Sequence, residues 1–192
     1  SGPLWIIFGY LGFGAQMNLI GRFFLAFFYA LFYKRAPSLL ATTTRRFRVW
    51  PHDIDLNIHL TAARYLSFGD LARMGWMVDN RILWKFFSRG YQSVINAQEI
   101  TYIREFTPFS TVRIELQLVS WDDKYSYYEQ RYYGGDRLFA IGHARSAMLK
   151  ARKVVTPQSV FDALNMNVQS PVESEIIADW KETLAAKKRQ FS

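Results

Sequence analysis

The sequence predicts an α+β domain in which one long helix is wrapped by a curled antiparallel meander. Three observations carry this. Residues 62–78 (AARYLSFGDLARMGWMV) place Tyr65, Leu66, Phe68, Leu71, Ala72 and Trp76 at helical spacing, which gives one broad apolar face. Residues 111–121 (TVRIELQLVSW) alternate strictly, with Val112, Ile114, Leu116 and Leu118 on one side. After Gly90 the chain reads as strand upon strand through residue 152, broken at Pro108, Asp122–Asp123 and Gly134–Gly135. The helix is expected to be the most buried element. An open meander leaves sheet edges, and two subunits joining their sheets would remove them.

The remaining elements follow in order. Residues 42–50 (TTTRRFRVW) alternate as a strand, and residues 52–60 (HDIDLNIHL) form a polar loop. Thr61 stands where an N-cap belongs. A second helical piece over residues 81–87 stops at Arg89–Gly90, where glycine suits a C-cap. Strands are expected over residues 91–104, 111–121, 124–133 and 137–152, the middle two forming a hairpin. Thr156 caps a short helix with Pro157 at its first position. A linker over residues 165–171 leads to a polar C-terminal helix over residues 172–188. The chain thus divides into an N-terminal hydrophobic segment (1–40), the main domain (41–164), and a linker with its helix (165–192).

Composition narrows the function classes. A chain of 192 residues can bury a core without covalent staples. With 0 Cys, disulfide scaffolds, Cys-based zinc sites and Cys nucleophiles are excluded. The net charge of +8 is uneven: residues 1–48 hold six cations (Arg22, Lys34, Arg35, Arg45, Arg46, Arg48) and no acid, whereas the rest is nearly balanced. A nucleic-acid-binding face is therefore not expected. Between residues 4 and 33 the only charge is Arg22, and residues 23–33 (FFLAFFYALFY) are unbroken apolar. This segment reads as a helical membrane anchor or as a monotopic segment with its cations on anionic headgroups, which would hold the protein at the cytoplasmic side of a membrane. The alternative is a helix packed on the domain's own core or in a dimer interface.

Three groups of residues could carry chemistry. Asp53, Asp55, Asn57 and His59 immediately precede the long helix. Unpaired N–H groups at a helix start point toward incoming negative charge, so a carboxylate placed there can act as base or nucleophile while those groups hold an oxyanion. The competing reading is that these are turn and capping residues. His52, His59 and His143 are scattered without metal-ligand spacing, and no metal site is expected. Asn96, Gln98 and Glu99 lie on the strand after the helices, either as polar contacts supplied to a partner subunit or as a solvated face.

Residues 49–66 (VWPHDIDLNIHLTAARYL) resemble the signature of the 4-hydroxybenzoyl-CoA thioesterase family. Residues 101–109 (TYIREFTPF) and 120–132 (SWDDKYSYYEQRY) resemble later strands of a membrane-linked, thioesterase-like branch that also carries a hydrophobic N-terminal segment. The resemblance spans roughly residues 44–163. It implies the hot-dog fold, a homodimer or dimer of dimers, and acyl-CoA sites at subunit interfaces. The family's Asp falls on Asp55, its His on His59 and its aromatic on Tyr65. The usual Gly is Ile58, and the usual polar pair is Thr61-Ala62, although Ala62 keeps its backbone N–H. The implied function is hydrolysis of a medium- or long-chain acyl-CoA to free acid and CoA, with Asp55 as general base or nucleophile, His59 orienting, and the Ala62 N–H polarising the carbonyl. Asn57, Thr61, Tyr65, Asn96 and Gln98 would contact substrate. No cofactor is implied beyond the CoA of the substrate. Two alternatives stand beside it: a non-catalytic, membrane-associated acyl-binding scaffold, and an enoyl-CoA hydratase-type enzyme, whose Asp-x-Asn-x-x-His pattern is matched here with His59 one residue early.

Overall fold

The computed structural model describes residues 38–191. The apolar helix expected over residues 4–33 lies outside the described residues. The chain then forms β1 (Thr43–Arg48), a 3-10 turn (Pro51–Asp53), α1 (Ala62–Asp79), α2 (Leu83–Ser88), β2 (Tyr91–Tyr102), β3 (Thr111–Trp121), β4 (Tyr125–Gly134), β5 (Arg137–Lys150), β6 (Lys153–Val155), α3 (Pro157–Ala163) and α4 (Glu175–Phe191). The strands make one antiparallel sheet in the order β1-β3-β4-β5-β2. The short β6 pairs with β5 from Met148 onward, beyond Ala147, where pairing to β4 begins.

Local chemistry fixes the turns. The Asp122 carboxylate accepts the N–H groups of Lys124 (2.9 Å) and Tyr125 (2.8 Å), which folds the β3–β4 hairpin tightly. Gly135, at φ +60, closes the β4–β5 turn. The Thr156 hydroxyl accepts the Ser159 N–H at 3.2 Å and starts α3, with Pro157 at its first position. Three strands are shorter than expected: β1 and β2 end at Arg48 and Tyr102, before the expected residues 50 and 104, and β5 also stops early. The stretch predicted to run to residue 152 stops at Lys150, because Ala151 (φ +48) and Arg152 (φ +64) form a left-handed turn that sends β6 back along β5.

The sheet wraps α1. Val112, Ile114, Leu116 and Leu118 of β3 all point inward at 0% exposure, as their alternation predicts. They meet Tyr65, Phe68, Ala72 and Trp76 of α1, together with Tyr128 and Tyr132 of β4 and Ala140, Ala144 and Met148 of β5. Phe68 stacks on Phe47 of β1 at 4.9 Å. Each large side chain removed from water in this way contributes roughly 1.5–3 kcal/mol. Helix and sheet approach closely at Gly69, where a Cβ would meet the Gln130 amide and lie 2.8 Å from the Tyr132 hydroxyl. The ends of α1 are distinct. Near its start Tyr65 meets Tyr102, the last residue of β2, at 5.0 Å. Near its finish the Trp76 indole donates to the Leu39 carbonyl at 3.1 Å.

The convex face of the sheet is covered by α4. Ile177 and Trp180 form a second small core with Tyr127, supported by Val119, Tyr125, Ala97 and Leu184. Lys181 anchors the helix to Asp122 (3.3 Å) and Glu173 (2.9 Å). His143 of β5 lies beneath Trp180, with Nδ1 2.9 Å from Glu99 and Nε2 3.6 Å from Glu129. Burial alone would push the imidazole pKa down, but the hydrogen bonds to Glu129 and Glu99 outweigh it and the net direction is upward. His143 therefore ties β5 to Glu99 of β2 and Glu129 of β4 in the outer layer beneath α4. No helix among the described residues is long and apolar enough to cross a membrane.

Candidate active site

The loop between the 3-10 turn and α1 is closed on itself by an antiparallel bridge between Ile54 and Leu60. The Asp55 N–H donates to the His59 carbonyl at 2.9 Å, and the Ile58 N–H donates to the Asp55 carbonyl at 3.1 Å. Asp55 Oδ1 accepts the Asn57 N–H at 2.9 Å and, more loosely, the His59 N–H at 3.4 Å. The loop is thus wound around the Asp55 carboxylate, which remains open to solvent. Its other oxygen, Oδ2, meets no donor among the described residues. Leu56 and Ile58 form the exposed tip.

Ile58 occupies the position where the family pattern carries Gly, and its φ is +63. A β-branched residue is disfavoured in this left-handed conformation by roughly 1–2 kcal/mol. The Ile58→Gly variant is expected to gain roughly 1 kcal/mol despite glycine's unfolded-state entropy, read as a higher urea midpoint at unchanged m-value.

The neighbouring carboxylate has another role. Asp53 is 0% exposed. Its Oδ2 accepts the Trp50 N–H at 2.9 Å, and its Oδ1 lies 3.1 Å from Arg64 Nε and 3.4 Å from His52 Nε2. Its backbone carbonyl accepts the Thr61 N–H at 3.0 Å. Asp53 therefore ties the loop to the first turn of α1 and sets where the helix begins. The Asp53→Asn variant keeps an acceptor for Trp50 but removes the charge beside Arg64, and a loss of about 2 kcal/mol in unfolding free energy is expected by urea titration. The Asp53–Arg64 pair was not legible in the sequence, because nothing in the spacing links a loop carboxylate to a guanidinium on the following helix.

At the start of α1, Thr61 is the N-cap residue (φ −63, ψ +143), but its side chain makes no capping bond. Ala62 and Ala63 are exposed, and their N–H groups meet no acceptor among the described residues. Two unpaired donors at the positive end of an 18-residue helix form a ready site for developing negative charge. His59 Nε2 does not reach Asp55 but pairs with Glu105 Oε2 at 3.0 Å, a partner that sequence reasoning missed.

The other expected site residues are distributed unevenly. Asn57 is exposed on the loop, and Thr61 is half-buried at the helix start. Tyr65 is buried in the core against Tyr102, Phe106 and Tyr132, and burial raises its hydroxyl pKa to about 12. Asn96 stands at a bulge in β2, with its Oδ1 accepting from Arg145 Nε at 3.0 Å, and Gln98 is half-buried opposite Ala144. Along the strand they lie roughly 20 Å and 13 Å from Tyr102. Within one protomer, β2 does not bring them to the loop. Among the described residues no group of three His, Asp or Glu side chains is placed to share a metal ion.

An exposed carboxylate in a loop that leads directly into an uncapped helix start, with the helix enclosed by a curled antiparallel sheet, defines a hot-dog domain of the thioesterase type. The chain belongs to the thioesterase-like superfamily, whose family model matches residues 49–164. It is 31% identical over 136 residues to Protein THEM6 of Xenopus laevis, covering 69% of this chain and 63% of that protein. The chain thus spans just under two thirds of the frog relative's length. Among solved structures it resembles the YbaW probable thioesterase from Escherichia coli (TM-score 0.59, 18% identity, 66% of this chain and 98% of that one). It also resembles Slr0204, a 1,4-dihydroxy-2-naphthoyl-CoA thioesterase from Synechocystis (TM-score 0.58, 13% identity, 68% and 100%). At these identities the two structures speak for the fold alone.

Proposed function

We propose that the protein hydrolyses the thioester of an acyl-CoA to free acid and CoA. The observation that carries this reading is the Asp55 carboxylate. It is exposed, has one oxygen engaged by its own loop, and among the described residues has no donor at the other and lies just ahead of helix N–H groups that meet no acceptor. Asp55 acts as general base toward water or as nucleophile at the carbonyl carbon, and the Ala62 N–H polarises the carbonyl oxygen. His59, held by Glu105, orients the loop. Leu56 and Ile58 offer apolar contact to a medium- or long-chain acyl group. The working unit is a homodimer: among the described residues β2 is bonded only to β5, which leaves its other edge unpaired there, and Val94, Tyr102 and Ile103 along and just beyond it are half exposed. A second copy is also what would bring Asn96 and Gln98 to a substrate. Residues 4–33 hold this unit at a membrane surface, where long-chain acyl substrates collect.

The test is release of free thiol from a panel of acyl-CoAs of graded chain length by the full chain. CoA release that disappears in Asp55→Asn supports the reading. Binding of acyl-CoA without release would instead make the protein an acyl-binding scaffold, and water addition to an enoyl-CoA without thiol release would make it a hydratase. A monomer in sedimentation at assay concentration would remove the interface site.

A further inference from the structure

At the end of the sheet opposite the Asp55 loop, α2 and the β5–β6 turn form a face whose chemistry the thioesterase reading does not use. Trp84 is 79% exposed on α2, and Phe87 follows one turn later at 49%. Around them on the same segment stand the exposed cations Arg81, Lys85 and Arg89, with no acid between Asp79 and Glu99. Strand register sets a second cationic turn beside this one: Tyr91 pairs with Lys150, and Lys150 pairs with Lys153. That turn contributes exposed Lys150, Arg152, Lys153 and Val154, again with no acid between Asp136 and Asp162. None of the six cations makes an ion pair among the described residues. Lys150 lies over the Tyr91 ring at 4.9 Å. The acids at this end are engaged or balanced. Asp79 holds Arg45 at 2.7 Å, Asp122 holds Tyr127 and Lys181, and Asp123 sits beside Lys124.

The described chain also begins at this end. The Leu39 carbonyl is bonded to Trp76 near the finish of α1, on the α2 side of the domain and away from the Asp55 loop. The loop lies at the other end of α1, roughly 27 Å away along its 18 residues.

We propose that α2 and the β5–β6 turn dock the domain onto an anionic phospholipid bilayer, with Trp84 and Phe87 in the interface and the six cations on headgroups. An exposed Trp flanked by Lys and Arg is suited to the amphipathic boundary of a bilayer. Each cation near an anionic surface adds attraction, and six acting together bind additively. A second copy is a poor occupant, because two-fold contact through this face would set six cations against six. This orientation turns the Asp55 loop away from the lipid. The proposal does not depend on thioester hydrolysis. Its test separates the two.

The chain has 0 Cys, so one cysteine can carry a probe cleanly. Ser88 lies on the Trp84 face of α2 and is exposed, and Asp136 lies in the β4–β5 turn at the far end. Full-length S88C and D136C, each labelled with a polarity-sensitive fluorophore, are mixed with phosphatidylcholine vesicles with or without phosphatidylserine. Vesicle-borne nitroxide is expected to quench the Ser88 probe strongly on anionic vesicles, several-fold less on neutral ones, and the Asp136 probe on neither. Adding W84S/F87S, or K150E/R152E/K153E, should reduce Ser88 quenching to the Asp136 level even where residues 1–40 still sediment the protein with the vesicles. Circular dichroism would confirm that these variants fold. A Ser88 probe that stays unquenched while the protein co-sediments would overturn the proposal. So would equal quenching on both vesicle types, or an emission shift before vesicles are added, which would assign the face to a second copy.

Discussion

Asp55→Asn is expected to lower CoA release by roughly a thousandfold while leaving the fold and its stability nearly unchanged. The second half of this expectation follows from the loop. Asp55 Oδ1 accepts the Asn57 N–H at 2.9 Å and the His59 N–H at 3.4 Å, and the carbonyl oxygen of an asparagine side chain can accept both. The Asp55 backbone bonds to His59 and Ile58 do not involve the side chain at all. What the variant loses is charge and basicity at the unengaged oxygen, the property needed to take a proton from water or attack a carbonyl carbon. The measurement is kcat and KM for thiol release alongside urea unfolding. A lost kcat with an unchanged unfolding midpoint is the expected pair. Activity surviving in Asp55→Asn would remove the carboxylate from the mechanism, and a collapse of stability would mark Asp55 as a structural turn residue. Asp53→Asn should show the opposite pattern, since that side chain is buried against Arg64 and bears on stability.

The contrast between these two aspartates shows what the sequence could and could not convey. Both belong to one run, Asp53-Ile54-Asp55, and both are ordinary loop residues by composition. Which one is buried depends on Arg64, whose side chain returns from α1 to Asp53, and no periodicity reports a contact between a loop and the next helix. The elements themselves were legible wherever a period was strong. The stripe on α1 and the alternation of β3 gave their bounds to within a residue, because each buries one face against the other. The early stop of β5 was not legible. Its turn is made by Ala151 and Arg152, which carry none of the Gly or Asn chemistry that usually announces a left-handed bend. Ile58 hides the same conformation on the Asp55 loop. There, resemblance supplied what propensity could not, by marking the position as one where Gly is usual. On α4 the signal was present but overlooked. Ile177, Trp180 and Leu184 recur at intervals of three and four, and this is the stripe that seats a helix otherwise read as polar.

Ala62→Pro is expected to lower kcat roughly a hundred- to a thousandfold without unfolding α1, and it isolates a backbone group that side-chain substitution cannot reach. Ala62 is the first residue of the helix, the one interior position where proline's fixed φ and missing N–H are tolerated. The residue before a proline must be extended, and Thr61 already is, at φ −63 and ψ +143. Ala62 is exposed, so the ring has room. The substitution therefore removes one N–H that has no acceptor in the described structure, and little else changes. If that N–H holds the carbonyl oxygen, its contribution grows as negative charge develops there, so kcat should fall while acyl-CoA binding persists. Ala62→Gly keeps the donor and should keep the activity. If both variants turned over substrate at the rate of the unaltered chain, the oxyanion would have to be held elsewhere, with the Ala63 N–H as the next donor on the same helix turn. A fall in both, with helix content intact, would point to the shape of the helix start rather than to its hydrogen bond.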